Sequence, residues 1–294
     1  MKPSTPKTEL PPSNRVRKAA FGGSRQAATM TFLKRCGYYA TLILIGLVAT
    51  NAQGAAINGY EVSPRIFNND PGSTLTITPA GPINSNPATI TIRDEFTGAF
   101  TGANRHDVLA SSDGGVTSFT HSIDDSFVFT TRLTLTDGFN SPRKEAGIRF
   151  NSSVTGDMLF IVNSDAGEIV TFGGPFHSFG NNASGNGYTP GTSILLGVRH
   201  IGGGDGNGGV ADTTEFFIDR GAGIETTGPL AWSNTEGGPV NFQVGVYAQG
   251  GANAAGDFVN ALFSNTTYTA VPEPGTLALF GMGSLGLLAM RRKR

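Results

Sequence analysis

The chain predicts an all-β fold in which two antiparallel sheets pack face to face as a sandwich. Three observations predict it. Short runs rich in β-branched and aromatic residues recur through residues 56–270, turn residues separate them, and no stretch there keeps a 3.6-residue apolar period. Forty-two glycines and sixteen prolines supply the turns, and a hydrophobic content of 38% supplies a core.

The runs open with Ser73–Thr78 (STLTIT) and Thr89–Arg93 (TITIR). Ser126–Thr136 alternates cleanly and puts Phe127, Phe129, Thr131, Leu133 and Leu135 on one face. Ala146–Phe150, Met158–Asn163, Glu168–Phe172, Ser193–His200, Thr213–Asp219, Asn241–Gln249 and Phe258–Thr269 follow. Turn signals stand between them, among them Ser112-Asp113-Gly114-Gly115, Ser164-Asp165-Ala166-Gly167 and the glycine-rich stretch 202–209.

The order of the later runs is more specific. A hairpin over 156–172, a strand over Ile194–His200 and an arm ending Ile218-Asp219-Arg220-Gly221 precede the aromatic strand Phe242–Tyr247. With Phe127-Val128-Phe129 and Ala146-Gly147-Ile148-Arg149-Phe150, this pattern resembles the concanavalin A-like (laminin-G-like) jelly roll. An immunoglobulin-like sandwich is the competing arrangement. Neither a repeat nor a linker divides the region, so residues 56–270 read as one domain.

Both flanks differ from this body. Residues 1–52 carry eight Lys/Arg and one acid, Glu9, and residues 291–294 add four more cations. Residues 53–271 therefore hold nine basic and twenty acidic residues, a net charge of about -11, which disfavours nucleic acid as a partner. Lys34 and Arg35 precede an apolar core, Tyr38–Ala49, and small residues follow it. That is the layout of a secretory signal helix, with cleavage near Ala52 or Ala55. Met30 opens a complete signal over 30–55, which makes 1–29 an upstream extension and Met30 the candidate start. Cys36, the single cysteine, lies before the apolar core, where a lipid-modified cysteine does not belong. The mature chain then has neither a disulfide nor a catalytic thiol.

At the other end, Thr276–Met290 offers fifteen uncharged residues, fewer than the roughly 20 of an ordinary spanning helix. Pro272-Glu273-Pro274-Gly275 stands before it, and Arg291, Arg292, Lys293 and Arg294 follow. The basic cluster holds its end in the cytoplasm and leaves the domain outside. The segment 271–294 (Val271-Pro272-Glu273-Pro274, the Leu/Gly-rich transmembrane helix, the basic tail) resembles the PEP-CTERM sorting signal of exopolysaccharide-producing Gram-negative bacteria. The resemblance implies an exosortase-type membrane protease as partner, acting at Pro272, Glu273 and Pro274. It also implies a transient stay in the inner membrane, then release to the envelope or extracellular matrix.

Chemistry in the body is sparse. The Glu-x-Asp-x-x-Glu arrangement of jelly-roll glucanases is absent. Glu215 and Asp219 share a strand face about 13 Å apart, too far for a retaining glycosidase pair. Asp219 opens an Asp-Arg-Gly turn, where Asp serves the backbone. Asp113 and Asp124-Asp125 read as turn residues too. His106, His121, His177 and His200 show no zinc spacing, and no Gly-x-Ser-x-Gly elbow points to a triad. In the loop 202–212, Asp205, Asn207 and Asp212 are oxygen ligands suited to calcium, although metal-free glycine loops are the commoner use of such a segment. Trp232, the only tryptophan, is a candidate sugar platform, with Tyr188, Phe176 and Phe179 in the segment 173–191 as supplements. Its alternative place is the core.

The sequence thus predicts a secreted, membrane-sorted domain with a non-catalytic role in contact with exopolysaccharide or another glycan. A glycan-processing enzyme and a purely structural matrix protein are the alternatives.

Overall fold

The computed structural model describes residues 56–153, 156–203, 212–232 and 241–271. The upstream extension, the signal segment, Pro272, Glu273, Pro274, the apolar span with its basic tail, and Asp205 and Asn207 lie outside those residues.

Sixteen strands account for most of the described chain: β1 (Gly59–Asn68), β2 (Thr74–Thr78), β3 (Ala88–Glu95), β4 (Asn104–Ser111), β5 (His121–Ser122), β6 (Phe127–Asp137), β7 (Lys144–Ser152) and β8 (Gly156–Asn163), then β9 (Ile169–Phe172), β10 (His177–Gly180), β11 (Ser193–Ile201), β12 (Thr213–Asp219), β13 (Ile224–Thr226), β14 (Leu230–Ala231), β15 (Asn241–Gly250) and β16 (Phe258–Ala270). One 3-10 turn, Asn182–Ser184, interrupts them. The front sheet runs β1-β4-β15-β7-β8-β9-β10, with β5 beside β15. The back sheet runs β13-β12-β11-β6-β16-β3-β2, with β14 beside β12. Every pairing is antiparallel, and the chain crosses repeatedly between sheets, so that β15 inserts between β4 and β7 while β16 inserts between β6 and β3. This is a two-sheet jelly roll.

Alternation builds the core. On β6, Phe127, Phe129, Leu133 and Leu135 are buried while Val128, Thr130, Arg132 and Thr134 are half-exposed, as the sequence pattern predicts. Facing them from the front sheet are Val108, Ile148, Phe150, Phe160, Phe242, Val244 and Val246, all buried. The four predicted runs from Ala146 to Phe172 and from Asn241 to Gln249 fall on β7, β8, β9 and β15. The sequence reading did not find β1, β4 or the short β5, β10, β13 and β14.

The sandwich has two poles with different chemistry. At one, Gly59 pairs with Ser111, Phe242 with Ser152, and Ala270 with Phe127. There Asn86 Nδ2 donates to the carbonyls of Ile57 (3.0 Å) and Tyr268 (2.8 Å), and its Oδ1 accepts from Tyr60 Oη and Tyr268 N. One side chain therefore ties the strand that enters the domain to the strand that leaves it. Val271 N donates to Ser126 O at 2.8 Å at the same pole. At the other pole, Asn104 and Lys144 both lie opposite Gly250. Lys144 Nζ, fully buried, meets Asp257 Oδ2 at 2.5 Å and donates to Phe139 O at 2.6 Å. Asp257 Oδ1 accepts from Phe139 N and Phe258 N, so this buried pair fastens β7 of the front sheet to β16 of the back sheet.

Candidate functional site: the outer face of the front sheet

Strand β15 sorts its side chains by parity. Phe242, Val244, Val246 and Ala248 enter the core, and Gln243, Gly245, Tyr247 and Gln249 take the outer face. The register then sets their neighbours. Gln249 lies opposite Arg105 of β4 and Glu145 of β7, Tyr247 opposite Asp107 and Gly147, Gly245 opposite Leu109 and Arg149, and Gln243 opposite Asn151. Gly147 and Gly245 are required there: an added Cβ would come within 2.0 Å of Phe160 O and 2.2 Å of Val108 O respectively.

On this face four charges close a ring. Arg105 Nε meets Asp107 Oδ1 at 3.1 Å and its Nη1 meets Asp157 Oδ2 at 2.7 Å. Arg149 Nη1 meets Asp107 Oδ2 at 2.6 Å and its Nη2 meets Asp157 Oδ1 at 2.5 Å. Burial pushes the Asp107 carboxyl up, against the pull of both guanidinium groups. Burial alone would lower the Arg105 guanidinium, but the fields of Asp107 and Asp157 turn the balance upward. The Arg105 guanidinium carbon lies 4.8 Å from the Tyr247 ring centre and 5.6 Å from that of Phe67, so it is held between two aromatic faces. Beside it, Leu159, Ile161, Val170 and Tyr247 form a second small apolar cluster outside the main core.

A cavity of about 510 Å³ opens next to this ring, lined by Phe67, Arg105, Arg143, Glu145, Glu168, Phe172, Phe176 and Gln249 among others. Phe67 and Phe176 are exposed large apolar side chains, 50% and 71% accessible, and they stand on opposite sides of the opening, one on β1 and one between β9 and β10. A shallower depression of about 180 Å³ on the same face is lined by Asn151, Asn241 and Gln243. The two carboxylates of the larger cavity share one cation: Arg143 Nε donates to Glu145 at 2.8 Å and Nη1 to Glu168 at 3.1 Å. The other Glu145 oxygen accepts from Tyr247 Oη at 2.9 Å. Burial, reinforced by the Glu145 charge, holds the Tyr247 hydroxyl well above the usual phenol range, so it is a donor and not a ready base. Chemically the face offers hydrogen bonds and aromatic surface around a charge-balanced floor.

The residues singled out from sequence fall elsewhere. Trp232 is 2% exposed and stacks on Phe242 inside the core, with His200 against its edge. Tyr188 is also 2% exposed, and its hydroxyl donates to Thr192 O at 2.7 Å and accepts from Leu135 N at 2.8 Å. Neither ring presents a face to solvent, which corrects their reading as a sugar platform: both were taken into the sandwich, where the Tyr188 hydroxyl finds backbone partners and the Trp232 Nε1 is buried without one. Of the supplements, Phe179 is buried and Phe176 is the exposed ring on the cavity rim. Asp212 is fully buried and accepts from Gly203 N. Among the described residues, no three His, Cys, Asp or Glu side chains converge as metal ligands. The turn readings agree with the geometry: Asp113 accepts from Ser111, Val116 and Thr117, Asp125 from Ser122 N, and Asp219 from Gly221 N and Gly223 N. Glu215 bonds to Arg199 and Thr226 on the outer side of the back sheet, away from the cavity.

Sequence reasoning missed this face because its residues come from six separate strands, β1, β4, β7, β8, β9 and β15. The signal it could have used was the outward set Gln243, Tyr247 and Gln249, a polar row alternating with an apolar one.

Residues 270–294 match the PEP-CTERM protein-sorting motif. No curated protein matches the chain. Among solved structures, an alginate lyase from Klebsiella pneumoniae aligns with a TM-score of 0.46 and 12% identity, covering 73% of this chain and 96% of that one. The PL7 alginate lyase AlyA1 from Zobellia galactanivorans aligns with a TM-score of 0.44 and 8% identity over 76% and 99%. The carbohydrate binding module CBM66 from Bacillus subtilis aligns with a TM-score of 0.36 and 13% identity over 73% and 97%. Likenesses of this size carry no function across. The chain is thus a two-sheet β jelly roll followed, at residues 270–294, by a PEP-CTERM protein-sorting motif.

Proposed function

We propose that this is an exported envelope or matrix protein that an exosortase-type protease processes at its PEP-CTERM motif, and whose jelly roll binds a glycan on the outer face of the front sheet without cleaving it. The observation that carries the binding part is the cavity of about 510 Å³ between two exposed phenylalanines, Phe67 and Phe176, over a floor of side-chain donors and acceptors. Sugar rings have apolar faces that pack on aromatic rings and equatorial hydroxyls that need directed hydrogen bonds, and this face supplies both. Gln249 lines the cavity for the hydroxyls.

The non-catalytic part rests on how the acidic groups are spent. Glycoside hydrolysis needs two carboxyl groups, one of them a proton donor. Glu145 and Glu168 are both ion-paired to Arg143, and Asp107 and Asp157 are closed into the arginine ring. A glycan array probed with the exported protein tests the reading. Binding to a defined glycan, lost in Phe67→Ala, supports it; release of reducing or unsaturated ends from a bound glycan overturns the non-catalytic part.

A further inference from the structure

We infer that the glycan taken by this face is uncharged, not a polyuronate or a sulfated polymer; the inference rests on the glycan-binding reading above and deepens it.

Every guanidinium group of the face is already paired. Arg105 and Arg149 each contact both Asp107 and Asp157, and Arg143 contacts both Glu145 and Glu168. Three guanidinium groups thus meet four carboxylates, so the face carries no surplus cation for an incoming anion. A polyanion would have to displace a carboxylate that is held at hydrogen-bond distance or lie beside it. The remaining Arg105 nitrogen, Nη2, is buried without a hydrogen-bond partner. Its two N–H groups lie beneath the surface on a guanidinium already paired with two carboxylates, so they present no free charge to an anion.

The surroundings push the same way. The body, residues 53–271, has nine basic and twenty acidic residues, so a polyanion approaches against a net charge of about -11. Polar side chains that are neutral extend the face: Gln249 at the cavity, then Gln243 and Asn151 at the second depression. Of the exposed side chains around the cavity, Phe67 and Phe176 are apolar, and Arg143 is held by Glu145 and Glu168. Between β1 and β9 lie five strand spacings, about 24 Å of sheet, which is room for several sugar rings in a chain.

The test is a set of matched polymers that share a backbone and differ only in charge: dextran with dextran sulfate, and hydroxyethylcellulose with carboxymethylcellulose. The full chain, purified in mild detergent, is run in affinity gels containing each polymer at 50 mM and 500 mM NaCl. A neutral polymer should retard the protein, with affinity changing less than about twofold with salt. Its charged twin should bind at least about tenfold more weakly at low salt, with the gap narrowing at high salt. Phe176→Ala, a change at an exposed ring, should lose the retardation by the neutral polymer. A charged twin that binds as tightly as the neutral one, and loses affinity with salt, overturns the inference while leaving glycan binding intact. If none of these polymers retards the protein, the glycans bound on the array decide: neutral ones support the inference, uronates or sulfated ones overturn it, and none at all removes the glycan-binding reading and this inference with it.

Discussion

Lowering the pH from 7 to 4.5 attacks this fold at two buried imidazoles. His200 Nε2 lies 2.8 Å from the Ile123 carbonyl, which can only accept, so that nitrogen carries the proton and Nδ1 accepts from Thr214 Oγ1 at 2.9 Å. His121 stacks against Phe127, Phe242 and Tyr268, and its Nε2 is buried without a partner. Burial pushes His200 down to about 4. Burial and the neighbouring His200 push His121 down to about 3. In the unfolded chain both titrate near 6.5, so the unfolded state takes up protons first as pH falls. The stability held by the neutral rings is complete above about 6.5 and drains away toward the folded values. The slope is about 1.4 kcal/mol per pH unit for each ring, so two rings over two units cost about 5 kcal/mol between pH 6.5 and 4.5. Asp107 and Asp125, both raised by burial, act in the opposite sense and trim this loss. Asp94 is lowered: burial works against that, and its bonds to His106, Ser73 and Asn104 outweigh it, so its contribution is lost only below the normal carboxylate range. Urea unfolding followed by the fluorescence of Trp232, the single tryptophan and a neighbour of His200, reads the effect directly. His121→Phe, set into a stack of aromatic rings, should halve the slope. Stability constant within about 1 kcal/mol between pH 7 and 4.5, or a wild-type slope in His121→Phe, would refute the argument.

Two other changes should separate fold from sorting. Lys144→Ala leaves Asp257 charged and buried at the second pole, which should cost about 3–5 kcal/mol and lower the thermal midpoint by about 10 °C; calorimetry showing a midpoint within 2 °C of wild type would count against the clamp. Glu273→Ala should leave the full-length chain in the membrane fraction, whereas Glu215→Gln should not alter processing; normal maturation of Glu273→Ala, seen by immunoblot, would remove recognition of the tripeptide.

Ten of the strand runs were visible as short β-branched and aromatic stretches between turn residues, and those on β3, β6, β12 and β16 also alternate because one face is buried and the other wetter. β4 was hidden by the same physics. Its residues, Asn104 to Ser111, are all buried, since its outward Arg105 and Asp107 lie under an ion ring and its inward His106 bonds to Asp94 at 2.9 Å. Polar residues on both faces of a central strand leave no alternation to find. Trp232 and Tyr188 misled for a related reason: composition marks a large ring but not which side of a sheet it enters. The tag was legible because its tripeptide, apolar span and cations are contiguous. The outer face was not, because Arg105, Arg149, Asp157 and Tyr247 meet only after four strands are in register.

The shared pole of Ile57 and Val271 has a consequence for how the molecule is held. Asn86 binds both ends of the domain at that pole. Arg105, Glu145 and Gln249 cluster toward the opposite one, where β4 and β7 begin and β15 ends. β15 alone spans ten residues, about 33 Å of rise between the poles. Anything fastened through either end therefore grips the sandwich by its foot and leaves the aromatic-rimmed opening at the head. The chain thus enters the body at Ile57 and leaves it at Val271 on one side, away from that opening.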